Sequence, residues 1–144
     1  MPNPGGADAS PAVVEAPEVV VASSKLKWRD DLRYFEGKPF TGVAVEKYKN
    51  GQKSAELNYK AGKMHGLHTG WHENGQKKKE INYKDGKRDG LRTGWHENGQ
   101  KREEGNFKGG KLMTSVVWKP NGKKCPHTNL ADGNGIVVWY KMNG

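Results

Sequence analysis

Apolar residues occur along most of the chain singly or in pairs, within short polar segments that end at Gly-containing dipeptides about a dozen residues apart. Ala61-Gly62 and Asp85-Gly86 alternate with Asn74-Gly75 and Asn98-Gly99, and such dipeptides favour tight turns between antiparallel strands. No apolar stripe of helical period is present, and each of the frequent glycines would destabilise a helix by about 1 kcal/mol. The pattern therefore predicts an all-β fold in which successive β-hairpins form an antiparallel meander.

The hairpin signals belong to an internal repeat. Residues 54–77 align without gaps on residues 78–101, which sets a period of 24 residues, and both copies end in the sequence TGWHENGQK. Less regular units are predicted at residues 34–53 and 102–124, and a partial unit at residues 125–144. The fold class that follows is a β-hairpin repeat array.

The N-terminal segment differs in composition from the repeats. Residues 1–24 contain several prolines, a Gly-Gly pair and three acidic residues, but no Lys or Arg. This predicts a disordered, acidic, Pro-rich tail, followed by a repeat domain at residues 25–144. Val19–Val21 could pair as an edge strand, but Pro17 just before it favours an extended linker.

The turn positions predict a strand register. A two-residue loop at Asn74-Gly75 places Trp71 opposite Lys78, and a two-residue loop at Asp85-Gly86 places Ile81 opposite Gly90. One sheet face then carries Leu67, Thr69, Trp71, Leu91, Thr93 and Trp95. The other face carries Ile81 and Tyr83 over glycines that leave room for the rings. Lys78 is expected between two indoles, in cation–π contact. The residues assigned to the repeat structure are Tyr59, Gly66, Asn74, Gly75, Tyr83, Gly90, Asn98 and Gly99.

Both copies share a spaced motif that resembles the bacterial MORN repeat variant. The first copy reads Tyr59-x2-Gly62-Lys63-x-His65-Gly66-Leu67-x3-Trp71-x2-Asn74-Gly75-Gln76-Lys77, and the second begins at Tyr83 and ends at Lys101. The resemblance implies a MORN-type hairpin array. Some bacterial members are labelled YwqK-family antitoxins, and eukaryotic MORN proteins are associated with membranes and protein scaffolding, so the resemblance implies an interaction protein.

No pattern in the sequence indicates an enzyme, a metal or a cofactor. The chain lacks the nucleophile, phosphate-loop and zinc-protease motifs, and its one cysteine excludes an internal disulfide. His68 and His72 would lie about 13 Å apart on a strand, too far to share a zinc ion. Glu73 and Glu97 are interpreted as charges that flank hairpin turns rather than as a catalytic pair. We therefore predict no catalytic residue, no metal ligand and no cofactor.

The remaining functional signal is charge. The chain has 25 Lys and Arg against 16 Asp and Glu, a net charge of +9. Because the tail carries −3, the repeat domain carries +12. Basic residues and tryptophans crowd the central hairpins, and the candidate binding residues are Trp71, Trp95, Lys77, Lys78, Lys79, Arg88, Arg92, Lys101 and Arg102.

These residues support three interpretations. The first is a non-enzymatic repeat protein that binds another protein through a sheet face or edge, with antitoxin-like neutralisation as a narrower form suggested by the resemblance. The second is charge-driven binding of nucleic acid or an anionic membrane surface. The third is a hydrolase-like enzyme built on the carboxylates, which would require Glu73 or Glu97 in a deep cleft. The structural alternative to all three is a solvated sheet whose tryptophans serve packing. Open sheet edges would also allow oligomerisation. No apolar run is long enough to cross a membrane, and the chain is expected to be cytoplasmic, or exported or periplasmic if a signal precedes Met1.

Overall fold

A computed structural model describes residues 18–126 and 129–136, and nearly all of these residues lie in strands or the turns that join them. In this part of the chain no helix is long and apolar enough to cross a membrane. A short 3-10 turn occupies Ser23–Lys25. The strands are β1 (Val20–Ala22), β2 (Lys27–Arg29), β3 (Leu32–Phe35), β4 (Lys38–Pro39), β5 (Gly42–Lys47), β6 (Lys53–Lys60), β7 (Lys63–Trp71), β8 (Lys77–Lys84), β9 (Lys87–Trp95), β10 (Lys101–Lys108), β11 (Lys111–Val117), β12 (Asn129–Ala131) and β13 (Asn134–Ile136).

The predicted array of antiparallel hairpins is confirmed. Among the described residues, one ten-stranded sheet has the order β1-β5-β6-β7-β8-β9-β10-β11-β12-β13. From β5 onwards every neighbouring pair is antiparallel and consecutive in the chain. A separate sheet contains β2, β3 and β4. Leu26, Phe40, Ala44 and Tyr59 form a buried core cluster where this small sheet meets the start of the array.

The interpretation of Val19–Val21 as a linker is wrong. Val20–Ala22 is a strand that pairs in parallel with residues 43–45, and the amide of Val43 donates to the carbonyl of Val19 at 2.8 Å. Pro17 precedes the paired residues, so it removes no donor from the ladder, while β5 would otherwise expose a row of unpaired backbone groups. The predicted tail therefore extends too far at its C-terminal end, and the rest of it, residues 1–17, lies outside the described residues.

The two kinds of turn differ in conformation. Asp85 and Gly86 both have positive φ, at 50° and 84°, as the predicted two-residue loop requires. At the Asn74-Gly75 turn only the glycine has positive φ, at 84°. His72 and Gln76 close this turn, because the His72 amide donates to the Gln76 carbonyl at 2.8 Å. The predicted two-residue loop is therefore wrong here. The loop has three residues, and the Asn74 side chain accepts a hydrogen bond from the Gln76 amide at 3.0 Å.

The longer loop changes the register. Trp71 lies opposite Lys77 instead of Lys78, because Lys78 is bulged out of the ladder; beyond the bulge, Gly66 pairs with Tyr83 as predicted. On the other side of β8 a second irregularity places Ile81 opposite Arg92 instead of Gly90. The bulges recur in each repeat, and a bulge bends a strand and increases its twist.

Gly66 and Gly90 have a role different from the predicted one. Both have positive φ, at 93° and 96°, where the ladders on β7 and β9 shift register. A Cβ at Gly66 would meet the Asn58 side chain at 3.5 Å, and one at Gly90 would meet Asn82 at the same distance, so no tyrosine ring fills these places. The glycines allow the backbone conformation of the bulge.

Side chains and turns link each repeat to the next. The Tyr48 hydroxyl donates to the carbonyl of Trp71 at 2.6 Å, and one repeat later His72 Nε2 donates to Trp95 at 3.0 Å. His96 contacts the Trp118 carbonyl in the same way at 3.0 Å. At the opposite ends of the strands, glycine amides of the two-residue turns donate to carbonyls of the preceding unit, each at 2.8 Å, in the pairs Gly62 to Phe40, Gly86 to Met64 and Gly110 to Arg88. Hydrogen bonds therefore join successive units at both ends of their strands.

Candidate functional site

One face of the main sheet carries alternating tryptophans and lysines. Because Lys77 pairs with Trp71 and Lys101 with Trp95, these side chains share a face and follow one another across the strands. Each lysine Nζ lies over the ring of the tryptophan that follows it: 5.5 Å for Lys53 and Trp71, 5.9 Å for Lys77 and Trp95, and 5.4 Å for Lys101 and Trp118. We call these six residues the Trp–Lys row. Lys77, and not the predicted Lys78, lies between the two central indoles.

Every lysine of the Trp–Lys row also has an acidic partner. Lys53 contacts Glu56 at 2.6 Å, Lys77 contacts Glu80 at 2.5 Å, and Lys101 contacts Glu104 at 2.7 Å. The three pairs have the same spacing in the sequence and are partly exposed, so each contributes little to stability. Their main effect is electrostatic, because the carboxylates cancel the positive charge beside the indoles.

Leucines extend the same face. Leu67 and Leu91 are 39% and 49% exposed, whereas Thr69 and Thr93, which separate them from the row, are buried. Trp71 and Trp95 are half-buried. The Asn82 side chain donates to the Leu91 carbonyl at 2.8 Å and holds this part of the strand in place. We call the Trp–Lys row together with Leu67 and Leu91 the Trp–Lys face.

The opposite face holds a buried charge cluster. Glu103 is 2% exposed and pairs with Arg92 and, at 3.4 Å, with Arg102. It lies over Gly94, where a Cβ would come within 2.8 Å of the Glu103 Cγ. Lys79 lies over Gly70 in the equivalent way, with its Cε 3.0 Å from a Cβ built there. Glycine thus creates room for long charged side chains on this face.

Burial and like charges lower the pKa values of this cluster. The pKa of His68 is lowered to about 4, first by burial and then by Lys79 and Arg88. Burial likewise lowers the pKa of Lys79, with Lys78, Arg92 and Arg88 adding to the effect. The His68 ring lies 6.1 Å from the ring of Tyr83 and is neutral at physiological pH. His68 therefore acts as a packing residue.

The nine predicted binding residues do not form one patch. Trp71, Trp95, Lys77 and Lys101 lie on the Trp–Lys face. Lys79, Arg88 and Arg92 lie on the opposite face, where Arg88 stacks on the Phe107 ring at 5.4 Å. Arg102 contacts the buried Glu103, and Lys78 projects from its bulge. The predicted structural residue Tyr59 lies in the core, Tyr83 beside His68, and Asn98 repeats the turn geometry of Asn74.

The described residues line several open clefts, and two of them involve the turn carboxylates or the N-terminal strand. One, of about 460 Å³, is lined by Tyr48, His72, Glu73, Asn74, Lys78 and Glu97. Glu73 and Glu97 are both exposed there, at successive turns of an open surface, which is unlike the enclosed acid pair of a glycosidase. The other, of about 1000 Å³, lies between β1, the 3-10 turn and the start of β6. The described residues contain no group of three potential metal ligands.

Sequence reasoning missed two groups of residues. The histidines His72 and His96 join successive repeats, and their shared place before Asn-Gly was the available signal. Exposed lysines flank three two-residue turns of the array, in the repeated pattern Lys-x2-Lys around Ala61-Gly62, Asp85-Gly86 and Gly109-Gly110.

The topology, the repeated turns and the links between units define a β-hairpin repeat protein. The model of the MORN repeat variant matches residues 40–61, 64–85 and 88–108. These three segments are thus similar to the MORN repeat variant, and their spacing equals the period found in the sequence. The β10–β11 hairpin continues the architecture beyond the third match. No curated protein matches the chain.

Proposed function

We propose that this chain is a non-enzymatic module that binds another protein through the Trp–Lys face. The observation that carries the proposal is the Trp–Lys row, in which three successive indoles each lie beside a lysine already paired with glutamate. Tryptophan is among the residues most enriched at the centres of protein interfaces. MORN repeats typically mediate interactions, which supports the same reading.

Charge on the Trp–Lys face favours a protein over a polyanion. A nucleic acid or an anionic bilayer gains affinity by replacing counterions around unpaired cations. Here the glutamates neutralise the lysines, and Leu67 and Leu91 add exposed apolar surface between charged side chains. A mixed surface of aromatic, apolar and paired charged groups suits a protein of similar composition.

The test uses Leu67→Ser combined with Leu91→Ser. Both side chains are exposed, so the double variant keeps the fold, which circular dichroism checks. Proteins from a host-cell lysate that bind the immobilised wild-type chain but not the variant are purified. Each is then titrated against the wild type and the variant by calorimetry. Two interface anchors at more than 1 kcal/mol each predict a Kd at least about tenfold weaker.

The control changes the same two strands at their other ends, away from the tryptophans and from Leu67 and Leu91. Lys63→Ser with Lys87→Ser alters exposed residues at the start of β7 and β9, and it should leave the affinity within about twofold of wild type. If both double variants bind the partner as the wild type does, the Trp–Lys face is not the interface.

A narrower form of the proposal is that the bound protein is a toxin that the array neutralises. It is supported by the likeness to MORN-variant antitoxins alone. If the product of the neighbouring gene arrests the growth of cells that express it, co-expression of the wild-type chain should restore growth. Co-expression of the Leu67→Ser, Leu91→Ser variant should fail to do so. Growth arrest that the wild-type chain does not relieve would oppose the antitoxin role while leaving protein binding intact.

A further inference from the structure

One edge of the array carries six lysines in opposed pairs. They flank the two-residue turns, with Lys60 opposite Lys63, Lys84 opposite Lys87, and Lys108 opposite Lys111. All six are exposed, and none forms an ion pair with another described residue. Like charges directly opposite on neighbouring strands are destabilising, so this arrangement opposes folding, and no contact among the described residues compensates for it. We call the six residues the lysine edge.

The other ends of the same strands provide the contrast. β6, β8 and β10 begin with Lys53, Lys77 and Lys101, each paired with a glutamate, and end with Lys60, Lys84 and Lys108, which have no such acid. The array thus neutralises its lysines at one end of each strand and leaves them uncompensated at the other. A general need for solubility would not require this difference.

The turns hold the lysine edge in a fixed geometry. Besides the glycine amide bonds between units, the Ala61 amide donates to Thr41 Oγ1 at 2.9 Å, and the Gly109 amide donates to Asp89 Oδ2 at 3.1 Å. Successive turns are two strands apart, so the lysine pairs repeat about every 9.6 Å along a line. Backbone positions are therefore set before any ligand arrives, which lowers the entropy that binding costs.

The geometry points to the lysine edge as a binding site for the sugar–phosphate backbone of a double-stranded nucleic acid, read without regard to sequence. A row of point charges at regular intervals matches the regularly spaced phosphates of a nucleic acid, and phosphate contacts from lysine supply most non-specific affinity for duplexes. This surface lies at the opposite ends of the strands from the Trp–Lys row, and its role goes beyond the protein-binding role proposed above.

The chemistry of the turn tips argues for a duplex over other polyanions. The tips contain Ala61, Asp85 and glycines, so no aromatic ring is available to stack on an unpaired base. The methyl group of Ala61 is the single apolar side chain among these tip residues, and it is too small to anchor a turn in a bilayer interface. Asp85 reduces the charge of the central tip and contacts His65 Nδ1 at 3.5 Å, which leaves the row strongly positive.

The test compares two triple variants with equal loss of charge on the same three strands. One is Lys60→Gln, Lys84→Gln, Lys108→Gln, and the matched control is Lys53→Gln, Lys77→Gln, Lys101→Gln. Binding of a random-sequence DNA duplex is measured by fluorescence anisotropy at several salt concentrations. Six phosphate contacts predict a log–log slope of about −5, or roughly a thousandfold loss of affinity between about 50 and 200 mM salt.

The lysine-edge variant should have a slope less steep by about 2.7, because three contacts are lost, while the control keeps the wild-type slope. A Lys60→Arg, Lys84→Arg, Lys108→Arg variant should restore binding, which separates charge from folding effects. Equal loss in both Gln variants would show only a general charge effect and would overturn the proposal. Binding to vesicles rich in phosphatidylserine or to poly-glutamate, without binding to the duplex, would also overturn it and assign the row to a membrane or an acidic peptide.

Discussion

Glu103 offers the sharpest test of the buried charge cluster. Glu103→Gln keeps the shape of the side chain but removes the charge that faces Arg92 and Arg102. Glu103 is 2% exposed, and the side chain of Arg92 is only 22% exposed, so water replaces the lost ion pair poorly. Breaking a buried pair from one side costs about 3–5 kcal/mol, and partial access of water to the arginines reduces this to about 2–3 kcal/mol.

The neighbouring residue supplies the control. Glu104→Gln makes the same chemical change one position later, on the opposite face, where Glu104 pairs with Lys101 on a partly exposed surface. That pair should contribute less than about 1 kcal/mol. Urea denaturation followed by circular dichroism gives both midpoints, and equal m-values would show that the comparison concerns stability alone. If the two variants unfold within about 0.5 kcal/mol of each other, Glu103 is not the buried anchor described here.

Two further predictions concern single side chains. Stability should fall as the pH drops from 6.5 towards 4, because the unfolded state protonates His68 in this window while the folded state, whose His68 pKa is lowered to about 4 by burial, does not. The difference in urea midpoint between wild type and His68→Gln should shrink over that range, and a constant difference would contradict a buried neutral imidazole. Trp71→Ala should destabilise by about 2 kcal/mol, since a half-buried indole and its contact with Lys53 are lost, whereas Lys53→Gln should cost less than about 1 kcal/mol. Thermal unfolding measures both, and equal costs would show that the indole contributes no packing of its own.

The hairpin array could be predicted because its signals are local. Glycine at a position of positive φ and a repeat of 24 residues define the turns and the order of strands without reference to the rest of the chain. Asn74-Gly75 did not define its register, because the same dipeptide suits both a two-residue and a three-residue loop. The choice depends on the His72–Gln76 closure and on the bulge at Lys78, which form only in the assembled sheet.

That difference of one residue decided the accuracy of the predicted site. Side chains alternate between faces, and the bulge at Lys78 restores the predicted pairing from Gly70 and Lys79 onwards, so the error is confined to Lys77 and Lys78. The two tryptophans share one face as predicted, but Lys78 was assigned the position opposite Trp71 that Lys77 occupies. Basic residues adjacent in sequence, such as Lys77 to Lys79, point to three different surroundings. Charge density in the sequence could not show this.

Tyr48, His72 and His96 each form a hydrogen bond with the tryptophan carbonyl of the next unit, and this repeated contact allows the chain to change in length by whole units. Every unit accepts from its predecessor the same kind of contact that it provides to its successor. Inserting one more copy between residues 77 and 78 would therefore create a junction like those already present, with no orphaned group at either side. Gene duplication can lengthen this protein stepwise, and each added copy would extend both of its surfaces in proportion.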